Sequence, residues 1–301
     1  MSGQIATRHM EDEPSAGRDR HAPGAVDGAS VMVDGRPVRF LAAGSGPSAL
    51  FLHGWGLDPG AYREAVRAMG AAGCRVVAPA LPGFGGTADL PPGQRSFDGY
   101  ASWTARFLDA VGVGRVALAA GHSFGGGVAA AFACQFSERV GGLLLANAVG
   151  SPTWAAFPNE VRTMMQRPLW DWGRNFGADL LQSPRTLRVL PVVVGAFLPN
   201  LVRNPLGLFR TSAFIRQADL VAEVRSVARH RIPVMVAWSD RDGLVPRSAY
   251  EELRRAARAD GVVVEGSHSW VLVDPRTFGE LATRVLVDSG VLPVRAPLRL
   301  L

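Results

Sequence analysis

Gly121-His122-Ser123-Phe124-Gly125 decides how the rest of the chain is read. It follows an apolar run, Arg115-Val-Ala-Leu-Ala-Ala120, and leads into a stretch of small and apolar residues from Phe124 to Phe136. The first has the pattern of a buried strand and the second that of a helix. A serine between glycines at a strand-to-helix junction suits a turn too sharp for flanking side chains. Ser123 would stand exposed there, at the positive end of the helix. The letters alone are weak, since chance supplies about 0.25 such matches in a chain of this glycine content. The plain alternative is a glycine-rich turn with a helix-capping serine. Position between strand and helix is what gives the motif weight.

Working outward, the same alternation recurs on both sides. Ser30 to Leu41 alternates around Asp34-Gly35 and reads as a hairpin. Ala49-Leu-Phe-Leu52 is a strand leading into His53-Gly54-Trp55-Gly56, and a helix is expected over Gly60–Ala72. Arg75–Ala78 is a strand, and Phe97–Val111 is an amphipathic helix with Tyr100, Trp103, Phe107 and Val111 on one face. Gly142–Ala146 is the strand after the motif. At Ser151 the alternation stops, and it resumes at Pro233–Trp238. A helix then follows at about Arg247–Ala259, a strand at Val262–Val264 and a last helix at about Asp274–Val287. Alternating strands and helices imply an α/β fold with a mostly parallel sheet. The expected organisation is a disordered leader over 1–28, a core over 29–150 and 232–301, and a helical insertion over 151–231.

A serine hydroxyl needs a base to become a nucleophile, and the base needs an orienting carboxylate. Two loops after late strands offer them: Trp238-Ser-Asp-Arg-Asp-Gly-Leu-Val-Pro246 and Glu265-Gly-Ser-His268. His9 and His21 lie in the leader, His230 ends the insertion, His53 sits in an early loop, and His122 should point away from Ser123. His268 is the candidate base. Asp240 and Asp242 compete for the acid; Asp240 sits closer to the strand end, and Asp242 lies four residues before Pro246. Another acid position, after the strand ending at Ala146, holds the neutral Asn147. An oxyanion would need two backbone donors. Phe124 N–H, next to Ser123, and Trp55 N–H, in the early loop, are the candidates.

These pieces resemble the α/β-hydrolase superfamily from about residue 31 to 288. The resemblance rests on His53-Gly-Trp-Gly56, Leu81-Pro-Gly-Phe-Gly85, Gly121-His-Ser-Phe-Gly-Gly126, Asp242-Gly-Leu-Val-Pro246 and Gly266-Ser-His268. It implies that superfamily's fold, with flanking helices and residues 151–231 as a lid. It also supports chain order Ser, Asp, His and the choice of Asp242. A serine rather than an aspartate nucleophile separates the chain from the haloalkane dehalogenase and epoxide hydrolase branches. Within the serine branch the chain is similar to the carboxylesterases of pimeloyl-acyl-carrier-protein methyl ester, though those motifs recur elsewhere. The expectation is a serine hydrolase of a carboxylic ester, thioester or related acyl bond, working through an acyl-enzyme. Carbon–carbon bond hydrolysis, acyl transfer or cofactor-free perhydrolysis by the same triad are alternatives, as is a non-catalytic ligand-binding protein on this fold.

Composition limits the rest. Of 301 residues 48% are hydrophobic and 19% charged, which suits a globular chain. The apolar stretch Val189–Val202 is interrupted by Pro191, Gly195 and Pro199 and is shorter than the ~20 residues a membrane-spanning helix needs, so no span is expected. The first thirty residues hold no apolar signal core, and Cys74 and Cys134 cannot form a disulfide framework, so a cytoplasmic location is expected. No His/Cys pair has metal-ligand spacing, and no phosphate-binding glycine loop is present, so neither metal nor cofactor is implied. No nucleic-acid motif accompanies the basic residues. All 32 of those are arginine, and their excess is local: residues 151–231 hold 11 against five acids, while the remainder is neutral. That insertion is expected to roof an apolar pocket with Trp154, Phe157, Trp170, Trp172, Phe176 and Val192-Val-Val194. Its charge would attract a small acyl substrate with an anionic end, an acidic carrier protein or an anionic membrane. The plain alternative is ordinary arginine surface.

Overall fold

A computed structural model describes residues 24–152, 187–259 and 261–293. The aromatics expected to roof the pocket, Trp154 to Phe176, lie outside the described residues, as does most of the leader. Val26–Val33 (β1) and Arg36–Ala43 (β2) form the hairpin, and positive φ at Asp34 and Gly35 gives the turn that matches strand twist. β1 therefore begins inside the stretch read as leader, because Val26 already pairs with Ala43. Ser48–Leu52 (β3), Arg75–Pro79 (β4), Leu118–His122 (β5), Leu143–Ala146 (β6), Val234–Ser239 (β7) and Val262–Val264 (β8) are mutually parallel. The sheet order is β1-β2-β4-β3-β5-β6-β7-β8, with β2 antiparallel to β4.

β5 starts three residues later than its apolar run suggests and runs into the motif. Register explains the shift: Leu118 is the first residue to pair with β3, at Ala49, and His122 still pairs with Ala146. Alternate residues of β3 enter two cores. Leu50 and Leu52 pack with Phe107, Phe132 and Leu253 on one face; Ala49 and Phe51 pack with Val66, Met69 and Phe278 on the other. Both faces are buried, as a parallel sheet requires. Arg63–Ala71 (α1), Phe97–Ala110 (α2) and Phe124–Gln135 (α3) supply flanking helices.

Between β6 and β7 the described helices are Leu190–Arg203 (α4), Pro205–Ile215 (α5) and Val221–Arg229 (α6). The prolines that interrupt the apolar stretch do not break α4. Pro191 occupies its first turn, where an N–H has no helical partner, and Pro199 lies inside it. Val193 is buried, but Val192 and Val194 are exposed, so the valine run does not line a pocket as a unit: neighbouring residues on a helix face different ways. α6 packs against α3 and the next helix, Arg247–Ala257 (α7). A short helix absent from the sequence reading, Trp270–Val273 (α8), precedes Pro275–Asp288 (α9). Among the described residues no single helix is long and apolar enough to cross a membrane.

The chain runs from β3 to β4 on one side and returns to β5 on the other, so the strand order reverses at β3. The carboxyl ends there form the crevice where open α/β sheets place ligands.

Candidate functional site

Ser123 sits at that crevice with φ 54 and ψ −117, a backbone conformation that a side-chain-bearing residue rarely adopts. The surroundings hold it there. Ser123 N–H donates to Ala146 O at 2.9 Å, and Ser123 O accepts from Gly126, Gly127 and Val149. A Cβ on Gly121 would lie 2.2 Å from Gly125 O, and one on Gly125 would lie 2.2 Å from Leu52 O. Glycine at both positions is thus a packing requirement. Ser123 is half-buried while the residues on either side are buried.

On the neighbouring strands, His268 Nδ1 donates to Asp242 Oδ2 at 2.8 Å. The Asp242 side chain is fully buried. Its Oδ1 accepts from Leu244 and Val245 N–H at 2.7 and 2.8 Å, and its Oδ2 also accepts from Asn147 Nδ2. Four donors thus converge on one carboxylate and fix its orientation. Asp240 lies apart: half-exposed, it accepts from Gly266 N–H at 2.9 Å and faces Arg241. Of the two aspartates weighed from sequence, only Asp242 meets His268.

Asn147 follows β6 with φ 44. Trp270 Nε1 donates to its Oδ1 at 2.8 Å, and an indole N–H can only donate. The amide is thereby oriented, with its NH₂ facing Asp242 and Ser239 Oγ. The position weighed as an alternative acid instead holds the acid.

Two further histidines are fixed by their partners. His53 Nδ1 lies 2.9 Å from Gly54 O, and its Nε2 lies 3.0 Å from Leu81 N. A carbonyl accepts and an amide donates, so Nδ1 carries the proton. His122 is the opposite tautomer: Nε2–H donates to His268 O at 2.9 Å, and Nδ1 accepts from Tyr62 O–H at 2.8 Å. Tyr62 Oη in turn accepts from Gly54 N–H at 3.2 Å. Burial holds His53 at about 4, and burial with the nearby His268 holds His122 well below the ordinary imidazole value. Both are neutral at pH 7. His122 does point away from Ser123, but into this chain of bonds rather than into apolar core.

Gly54, the residue before Trp55, is therefore held at both of its own polar atoms, its C=O by His53 Nδ1 and its N–H by Tyr62 Oη. Gly54 also lies against the turn, since a Cβ there would be 3.6 Å from Ser123 Cβ. The Trp55 indole donates to Leu208 O at 3.2 Å and its ring packs on Phe197, so α4 and α5 rest on this loop. Asn200 Nδ2 donates to Gly56 O and Leu57 O, and its Oδ1 accepts from Gly85 N–H at 2.8 Å. Asn204 reaches Gly83 O and Asp89. Sequence reasoning missed Tyr62, Asn200 and Asn204. The one available signal was a lone asparagine inside an apolar helix, which must be satisfied if buried.

Among known proteins, the "Putative non-heme haloperoxidase" of Mycobacterium phage D29 is 28% identical over 269 residues, covering 86% of this chain and 94% of its own length. The 2-hydroxy-6-oxo-6-phenylhexa-2,4-dienoate hydrolase of Comamonas testosteroni is 26% identical over 231 residues, or 69% of this chain and 76% of its own. The crystal structure of the enol-lactonase from Burkholderia xenovorans LB400 shares the fold, with a TM-score of 0.68 at 20% identity over 88% of this chain and 100% of that one. The alpha/beta hydrolase family model matches residues 49–281, and the chain belongs to that family.

Proposed function

We propose that this chain is a serine hydrolase of carboxylic esters or related acyl bonds, with Ser123 as nucleophile, His268 as base and Asp242 as acid. The observation that supports it most is the buried Asp242–His268 pair at 2.8 Å, on the loops beside a serine held at φ 54. With Nδ1–H given to Asp242, His268 Nε2 is the ring's basic nitrogen. It takes the Ser123 proton as the oxygen attacks the carbonyl carbon, then gives it to the leaving group. Asp242 stabilises the imidazolium formed between those steps. Trp55 and Phe124 N–H would hold the oxyanion. The clamp on Gly54 sets the Trp55 donor before substrate arrives, so little reorganisation is needed in the transition state. Water activated by His268 then releases the acyl group.

A fluorophosphonate probe tests the nucleophile: wild type labels and Ser123→Ala does not. Equal labelling of both proteins overturns the reading. A p-nitrophenyl ester series of increasing acyl length then sizes the pocket. Similarity to a dienoate hydrolase favours a second use of the same residues, in which water adds to a ketone carbonyl carbon and the adjacent carbon–carbon bond breaks, leaving an acid and a carbon fragment that takes up a proton. Similarity to a haloperoxidase raises a third, with peroxide as acyl acceptor. Product analysis with water and peroxide in competition, on an ester and on a 2-hydroxy-6-oxo-dienoate, separates the three.

A further inference from the structure

We propose that the outer face of α4 and α5 docks on an anionic lipid bilayer. α4 is apolar all round. Val193, Ala196 and the satisfied Asn200 face inward, while Val194, Leu198 and Val202 face out. α5 continues the outer surface with Leu206 and Phe209. Of the ten large hydrophobic residues exposed among those described, eight lie between Leu187 and Phe209. Scattered exposed apolar residues are ordinary, but a contiguous group is not. A helix hydrophobic on every side belongs in a protein core or in lipid. Here the inner side already has its core.

Charge chooses the occupant. From residue 187 to 218 the chain has four arginines and neither Asp nor Glu. Arg188, Arg203 and Arg210 are exposed beside the apolar side chains. A second copy would fit poorly, because a two-fold contact sets each patch against itself and brings the arginines together. An anionic headgroup layer meets both features at once: guanidinium groups find phosphates, and the apolar side chains enter the acyl boundary. α4 and α5 meet at 106°, so they present a bent, broad surface that lies on a bilayer rather than crossing it. The inner side of the same helices rests on the Trp55 loop, which would place the crevice close to the membrane. The proposal does not depend on the reaction assigned to Ser123.

Sedimentation of the full chain with vesicles tests it. Vesicles of equal parts phosphatidylglycerol and phosphatidylcholine are compared with phosphatidylcholine alone. Three basic side chains at an anionic surface should give roughly 10²-fold tighter binding to the first. High salt should remove most of that preference. Leu198→Glu/Val202→Glu should abolish binding with an unchanged thermal melt. Should that variant fail to fold, Arg203→Gln/Arg210→Gln carries the test, with an expected loss of at least about tenfold. The proposal is overturned by wild type that ignores anionic vesicles, or by folded variants that bind as well as wild type. It is equally overturned by a wild-type dimer that the glutamates split while no vesicle is bound.

Discussion

The loops at the carboxyl edge of the sheet and the two helices resting on them follow opposite rules. In the loops, buried polar groups hold one another with donor and acceptor roles that leave little choice: His53, His122, Asn147, Asp242 and His268. In α4 and α5, apolar side chains face both inward and outward, and Asn200 and Asn204 provide the fastening. Low dielectric explains the first pattern, since a buried polar network is rigid only when its members are paired. Apolar packing is non-directional and needs no such pairing. Paired polar groups set the geometry of one region, and apolar packing with two asparagine anchors sets that of the other.

The largest expected effect breaks the loop region at its charge. Asp242→Asn should lower kcat by about 10⁴-fold, as loss of the orienting carboxylate does in serine triads. It should also cost about 1–3 kcal/mol of stability, because four donors would then meet an amide that offers a donor of its own. Asp240→Asn should change kcat by no more than about twofold, as an exposed residue away from the pair. Steady-state kinetics with a urea titration of each variant separates the two effects. A severe loss at Asp240 and a mild one at Asp242 would reverse the assignment.

Acid should loosen the same region. His53 and His122 are neutral when folded but take up a proton below about 6.5 when unfolded. The unfolded state therefore binds more protons as pH falls from that value, and stability falls with it. For His53 the loss runs from pH 6.5 down to about 4, where the folded imidazole also protonates. That span corresponds to about 3 kcal/mol. Urea midpoints between pH 7 and pH 4 should show it. His53→Gln retains an acceptor for Leu81 N–H but does not titrate, so its pH slope should be shallower. An unchanged slope would mean that acid acts elsewhere.

Legibility followed the same division. The sharp turn at Ser123, the hairpin at Asp34-Gly35 and the pairing of Asp242 rather than Asp240 with His268 could be read because they depend on particular residue types at short spacing. The network behind them could not be. Tyr62 reaches His122 across sixty residues, and Asn147 reaches Asp242 across ninety-five. No local pattern announces a contact made by strand order. Nor do Pro191 and Pro199, which interrupt the apolar stretch, announce that one helix runs through both of them. Proline removes a helix N–H, but the helix survives because its inward face is anchored by packing and by Asn200.

That anchor offers the next test, within one helix. Asn200→Ala removes bonds to Gly56 O, Leu57 O and Gly85 N–H, and should lower stability by about 2 kcal/mol. Leu198→Ala, on the outer face, should change it by no more than about 0.5 kcal/mol. Thermal melts of the two variants measure the contrast. Equal losses would show that the outer face is packed in solution, and would remove the distinction between the two sides of α4.

The smallest effect expected is the most specific to the loop at Trp55. Tyr62→Phe deletes one oxygen that accepts from Gly54 N–H and donates to His122 Nδ1. Two buried polar atoms lose their partner, which should cost about 1 kcal/mol of stability. If the Gly54 clamp sets the Trp55 donor, the loss falls mainly on the transition state, where negative charge sits on the carbonyl oxygen. kcat should then drop by about threefold to tenfold while KM stays near its wild-type value. A rise in KM alone would make Tyr62 a wall of the pocket. Unchanged kinetics in a destabilised variant would make the chain from Gly54 through Tyr62 and His122 to His268 structural support without a part in positioning the donor.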